Sequence, residues 1–574
     1  MPRYYLPKVN KFVTFAASLP IALSGGVGYC FGLWSPLLKA NYNLSQGSLG
    51  LVAAAHNLGA YSSFISGILY DSLEHRHHVG PRLSLLIGAL MNCVGFSMLW
   101  AAVTKRIEVA LWQMILLAMV AGNGGTWYDT SPLATNLRNF PASRGIVVGI
   151  IKSCIGLSSS LYTEAFEGFF GGHAGPFLLF LAWAPSTVAL VLLPLVNYVH
   201  YVQSSETHKT FTTDQRFYVA LRIIAALSVY LMITALVSGL TDVSHHMKVW
   251  FAIGAIMLMI PVVAISYDSG GLYAEKASLF YDEEEEGEEY LLSSETRLPH
   301  HTQGGAHDCD VSVDGTDVMD DDSPLITRDK SMEHIFPSLS IAECFVNTDF
   351  WIMAFVCGIG IGSGLAFLNN SSQLVTSLGG SSAMKSILVT FFGVASCAGR
   401  LLFGAIPEQM LHKHGLPRPF FLVFAAGCGC LTYAATAFAN PLLLYPLSLL
   451  AGLWFGGHWS LLPSLASELF GLENFASIYT ILQMAPAIAG YLLGAYLLGG
   501  TYDAVGKRHG DPGNTCIGSD CFRSAFLIVS LLGLVSTLLS FWLLKKTFKQ
   551  YRAGYGALRV FERDVDDADS IPPS

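Results

Sequence analysis

The chain has 574 residues, 52% hydrophobic and only 13% charged, with a formal net charge of −9 and a mean hydropathy of +0.48. Soluble domains carry roughly 25% charged residues, so this composition excludes a soluble globular enzyme. The lipid bilayer is the first expected partner, and no nucleic acid is expected.

Fourteen apolar runs are each long enough, at about 20 residues, to cross a hydrocarbon core as a helix. They begin near Phe12, Ser48, Leu83, Ala110, Ile146, Phe177, Phe217, Val249, Phe350, Ile387, Phe420, Leu442, Ala476 and Ser524. The predicted fold is an all-α polytopic membrane protein of six plus two plus six helices. A first half covers residues 1–205 and two additional helices 206–268. An acidic cytosolic linker covers 269–345, a second half 346–548 and a cytosolic tail 549–574. From Asp268 to Glu333 the net charge is −15, leaving +6 for the remainder. A segment this charged and this poor in apolar periodicity stays solvated.

Basic residues set the expected orientation. With Arg3, Lys8 and Lys11 inside, Arg76, Arg82, Arg138, Arg144, Lys209, Arg216, Lys413, Arg418 and Lys545 to Arg552 fall on the cytosolic side, while Lys105, Arg106, Lys507 and Arg508 do not. The first span shows no small-residue cleavage site and is read as its own targeting signal. Cys516 and Cys521 share the last loop on the opposite face, where an oxidising compartment would pair them as a disulfide. Asn43-Leu44-Ser45 on that face is a glycosylation acceptor pattern.

The halves repeat. Gly124-Gly125-Thr126-Trp127 returns as Gly456-Gly457-His458-Trp459, and Gly67 to Asp71 followed by His75-Arg76-His77 returns as Gly404 to Glu408 followed by His412-Lys413-His414. Duplicated halves with a substrate site between them are a transporter pattern. Gly67 to Asp71 with Gly80-Pro81-Arg82 resembles the loop after the second helix of the major facilitator superfamily, with an insertion at Glu74 to Val79. Asn139 to Gly145, Gly149 to Lys152, Gly156 to Ser158, Ser467 to Gly471 and the pair Cys516 and Cys521 resemble the nodulin-like branch of that superfamily. The resemblance covers both halves. It implies alternating access, and relatedness to carriers of small carboxylates.

Candidate gating residues are Asp71, Arg82, Arg138, Arg144, Arg400, Glu408 and Glu468. Asp71 is expected to accept hydrogen bonds from a neighbouring helix amino terminus or to pair with Arg138, Arg144 or Arg400. Because Pro407 and Glu408 replace the residues of the first copy, a weaker version of that latch is expected in the second half. Lys152 is the leading substrate residue: it lies about 12 Å past the start of its span at helical rise, with no acid at i±3 or i±4. A charge so placed should face a watery cavity and bind a small anion; snorkelling of its stem to the interface is the alternative. His56, beside Asn57, is a candidate for a co-transported proton or for simple helix packing. Tyr29, Asn123, Asn369, Gln373, His458, Tyr479 and Gln483 are candidates for the pocket lining, with interhelical hydrogen bonding as the competing role. Asp129, one turn from a helix end, is read as structural.

No phosphate-binding loop, metal pattern or nucleophile elbow is found, so no enzyme, cofactor or metal is expected. The readings left are a secondary carrier of a small organic anion such as a monocarboxylate, and a non-transporting receptor or sensor with the same fold. Asp321-Asp322-Ser323-Pro324-Leu325-Ile326 fits an acidic dileucine signal, with Asp321 four residues before Leu325 and Ile326, readable by a vesicle-coat adaptor. A vacuolar or lysosomal membrane is therefore expected, with the plasma membrane as the alternative.

Overall fold

The computed structural model describes residues 10–199, 213–266, 338–509 and 516–569, apart from positions 45, 63, 78 and 242. The linker signal at Asp321, Leu325 and Ile326 lies outside these residues. All regular elements among them are helical. The first half comprises α1 (Lys11–Ser24), α2 (Phe31–Tyr42), α3 (Gln46–Tyr61), α4 (Phe64–His77), α5 (Gly80–Val103), α6 (Leu111–Asn139), α7 (Arg144–Gly168) and α8 (Ala174–Leu192). The inserted segment holds α9 (Thr213–Leu240), α10 (His245–Met257) and α11 (Val263–Ser266). After a short α12 (Ile341–Val346), the second half runs α13 (Thr348–Ser377), α14 (Ser382–His414), α15 (Arg418–Thr436), α16 (Leu444–Leu469), α17 (Phe475–Leu482), α18 (Met484–Gly490), α19 (Gly500–His509) and α20 (Asp520–Asp569).

Eleven helical stretches among the described residues are long and apolar enough to cross a membrane. The runs expected near Ser48, Ala110 and Leu442 fall on α3 with α4, on α6 and on α16, which are not among those eleven. Two of these helices are turned towards protein more than lipid. In α16 every residue from Trp454 to Glu468 is buried, and α6 is buried from Gly124 to Tyr128 and from Thr130 to Leu137. Glycine, serine, threonine and histidine there replace the aliphatic residues that lipid selects.

Several spans are interrupted where their sequences cannot hold an α-helix. A tighter turn, Gly25–Cys30, separates α1 from α2, and Gly26 leaves helical geometry there. Pro486 lacks the N–H that would continue the α17 ladder, and the chain passes through α18 into a wider helical segment, Tyr491–Gly499. Tyr479 and Gln483 lie just before this irregular stretch.

The two ends of the bundle differ. At one end, here the latch face, lie Asn10, Asp71, Arg138, Arg144, Arg418 and Tyr551. At the other, the disulfide face, Cys516 and Cys521 are joined by a disulfide, and the Gly518 N–H donates to Ser377 O at 2.8 Å. Asn43 is exposed in a left-handed conformation at the end of α2, on this face.

The inserted helices dock on the first half. The Thr234 hydroxyl of α9 donates to Glu164 of α7 at 2.6 Å, and Lys248 of α10 donates to Glu167 at 2.8 Å. Phe217 packs against Phe15 of α1 and Phe140 after α6, ring to ring.

Two boundaries drawn from composition move. The end of the linker is built: Ser340 and Glu343 form a reciprocal cap on α12, whose hydrogen bonds hold the Glu343 carboxyl below its usual range. Leu339 N–H donates to Phe470 O at 3.0 Å, seating this end on the turn after α16. The last helix crosses residue 549 without a break and continues to Asp569.

Candidate functional site

The halves meet mainly through α4 against α17 and α7 against α14. Contact is close because the facing positions are glycines: a Cβ on Gly67 would run into Ala476 O, and one on Gly404 would lie 2.6 Å from Gly145 O. On the latch face this seam carries two reciprocal caps. Oδ2 of Asp71, in α4, accepts the N–H and the hydroxyl of Ser477 in the first turn of α17, both at 2.7 Å. Oε2 of Glu408, in α14, accepts the N–H of Gly145 in the first turn of α7 at 2.8 Å. Each acid thus satisfies a donor that a helix start leaves without an intrahelical partner, and it sits at the positive end of that helix.

Each cap is backed by arginine. Arg138 donates to Asp71 Oδ1 at 3.0 Å and crosses to the second half, donating to Leu472 O at 3.2 Å and Glu473 O at 2.7 Å. Arg144 donates to Ser467 O at 3.0 Å. In the second half Arg418 pairs with Glu408 and, at 2.5 Å, with Glu468, whose other oxygen accepts the Tyr551 hydroxyl at 2.6 Å. The second latch was expected to be the weaker. It differs in build: Arg418 at the start of α15 supplies a cation that bridges two carboxylates. Arg82 takes no part in it: it reaches Pro194 O at 3.3 Å beyond α8. Arg400 is not on the latch face either.

Deeper in the seam lies a charge cluster. Lys152 of α7 donates to both oxygens of Asp129 of α6, at 2.7 and 2.6 Å, and to the Tyr479 hydroxyl. Asp129 Oδ2 also accepts from Tyr479 at 3.0 Å and from Gln483 at 2.8 Å, both from the second half. The expectation of a lysine without a counter-ion is corrected: the acid comes from a neighbouring helix and not from the lysine's own. The ammonium also lies 5.3 Å from the Trp459 ring centroid and 4.8 Å from that of Tyr479. Tyr61 stacks on Trp459 at 6.2 Å, closing an aromatic wall across the halves.

Arg400 of α14 extends over Gly156, one turn along the same face of α7 as Lys152. A Cβ at position 156 would overlap its Nη1, so only glycine leaves room. The residue is 3% exposed, and its Nε and Nη1 have no protein acceptor among the described residues. Two cations and one carboxylate therefore share the buried centre of the seam.

Other expected pocket residues fall elsewhere. His56 is enclosed in the first half among Phe31, Trp34 and Phe96, its Nδ1 3.0 Å from Ala118 O. Asn123 donates to Gly59 O and Ser62 O and accepts from Trp127, which is helix packing. His458 turns into the second half, its Nδ1 2.8 Å from Trp454 O and its ring against Gly360. Asn57, Asn369 and Gln373 are exposed. The Tyr29 side chain lies outside the described residues.

Asp129, Arg418, Ser477 and Tyr551 were not read from sequence as site residues. Asp129 had a signal: it occupies the repeat position where the second half has Leu461, so it breaks the internal symmetry.

Two helical halves with reciprocal caps and a charged centre define a major-facilitator-type membrane carrier. The comparisons agree. Residues 11–266 match the family model described as Nodulin-like, and residues 336–553 match that of the NFD4 C-terminal domain. The two family models thus match both halves of the chain, in keeping with the resemblance to the nodulin-like branch. The chain is 24% identical to Protein NUCLEAR FUSION DEFECTIVE 4 of Arabidopsis thaliana, over 97% of this chain and 93% of that protein. It is 26% identical to the Probable transporter MCH1 of Saccharomyces cerevisiae, over 40% of this chain and 48% of that one. Among solved structures, the proton:xylose symporter XylE shares the fold at a TM-score of 0.50 and 14% identity, covering 92% of this chain and 94% of that one.

Proposed function

We propose that the protein is a secondary carrier of a small organic anion, of monocarboxylate type, working by alternating access between its two halves. The observation that carries this reading is the presence of both Lys152 and Arg400 at the buried centre of the seam. Buried cations need anionic partners, and Asp129 balances one of the two. A substrate carboxylate reaching Arg400 would balance the other, with Tyr479, Gln483 and Trp459 around it. Latches drawn tight on one face, with polar Asn57, Asn369 and Gln373 exposed within spans, fit a state closed on the latch face. By the distribution of basic residues that face is cytosolic. XylE is described as a proton:xylose symporter; the likeness concerns fold alone, so a neutral sugar is the competing substrate. A co-transported proton would have Asp129 as its nearest acceptor.

The test is uptake into liposomes carrying the purified chain. Labelled short monocarboxylates should enter saturably, and Arg400→Gln and Lys152→Ala should each abolish that entry. Uptake of xylose in place of the acids, or undiminished acid uptake in both variants, would overturn the reading. For location, replacing Leu325 and Ile326 by alanine should move a tagged protein from a vacuolar or lysosomal membrane to the cell surface.

A further inference from the structure

The last helix does not end where its apolar sequence does. Ser540, Leu543, Thr547 and Tyr551 are all buried, each at no more than 1% exposure, and they follow one another at helical spacings of three, four and four. This stripe leads out of the apolar span into a strongly basic stretch, Lys545 to Arg552. Lys546 fixes the register by donating to Asp349 at the start of α13, at 2.8 Å. At the end of the stripe the Tyr551 hydroxyl meets Glu468. From there the bonds run on without a break: Glu468 to Arg418, Arg418 to Glu408, and Glu408 to the N–H of Gly145 in the other half.

We infer that Tyr551 is a positioning residue of the latch, through which the tail beyond the last span holds the latch face closed. Glu468 has two carboxylate oxygens and two donors, one each. Without the phenol the carboxylate is free to rotate, and Arg418 loses the fixed acceptor that aims its other arm at Glu408. The guanidinium also lies against Gly145 itself, where a Cβ would overlap its Nη1, so its displacement reaches the first half directly. The phenol touches no substrate position. Its effect is on the balance between closed and open latch, and this inference rests on the alternating-access reading above.

The experiment uses the full chain with Thr480→Cys, a buried seam position, and follows its labelling by a membrane-impermeant maleimide offered at the latch face. Tyr551→Phe keeps the ring and removes one hydrogen bond to a charged group, and should speed labelling about tenfold. Truncation after Lys549 should do the same. In a Glu468→Ala background Tyr551→Phe should add nothing, because its partner is gone. Unchanged labelling in Tyr551→Phe and in the truncation overturns the inference, as does equal acceleration in the Glu468→Ala background. Asp71→Asn separates the two levels of the argument. If it speeds labelling while Tyr551→Phe does not, only the role of the tail falls; if neither does, the latch reading falls with it.

Discussion

Asp71 and Ser477 stand 406 positions apart in the chain, yet one carboxylate oxygen of the first takes both the N–H and the hydroxyl of the second. The bond joins the middle of α4 in the first half to the start of α17 in the second. Any motion that parts the halves on this face must break it, together with its counterpart between Glu408 and Gly145.

Asp71→Asn should therefore slow turnover more than it weakens substrate binding. The amide keeps one acceptor oxygen but loses the charge that serves the helix end and Arg138, an effect of about 1 to 2 kcal/mol on the closed state. Flux and equilibrium binding, measured on the same preparation, check it; equal losses in both would place Asp71 at the substrate.

Arg418→Ala should be the most destabilising single change on the latch face. It leaves Glu408 and Glu468 buried without their shared cation, and breaking a buried pair in this way costs about 3 to 5 kcal/mol. Thermal unfolding in detergent measures it, with Arg144→Ala as the milder comparison, since that side chain serves a backbone carbonyl.

Asp129 and Lys152 should behave as a unit in folding and as separate parts in transport. Asp129→Asn and Lys152→Met should each lower stability, and the double variant should recover much of it, because an apolar or neutral pair replaces a buried ion pair at little net cost. Flux should not recover. A double variant that transports at the parental rate would remove both residues from substrate handling.

Asn43 is the accessible reporter of sidedness. If the disulfide face lies away from the cytosol, the chain expressed in a eukaryotic cell should carry a glycan there. Glycosidase treatment should shift its mobility and Asn43→Gln should abolish the shift; no shift in the parent would argue for the opposite orientation.

The fold and the site were legible to different degrees. Apolar runs and the internal repeat carry the architecture, because each is a property of residue type at a known spacing. The acid Asp71 was legible too, since an acid after a glycine-containing apolar run has few uses other than a cap or an arginine. Partners of Lys152 were not. Asp129 lies 23 positions away on another helix, and helical spacing finds neighbours only within one helix. The roles of His56 and His458 stayed open for a related reason: depth along a span can be counted, whereas the direction a side chain faces depends on which helix packs beside it. Arg400 was placed on the latch by charge alone, and the room made by Gly156 puts it elsewhere.

The inserted helices alter how the molecule divides mechanically. α9 is pinned to the first half by a buried bond to Glu164 and by aromatic packing on α1, and α10 by an ion pair to Glu167. Towards the second half, α9 packs side by side with α14. When the seam opens, α9 and α10 should travel with the first half and slip past α14. The working parts are then the first half together with the inserted helices, and the second half alone. Drag from the surrounding bilayer would fall mainly on the larger body, leaving the second half, which carries the tail and the end of the linker, as the one that swings.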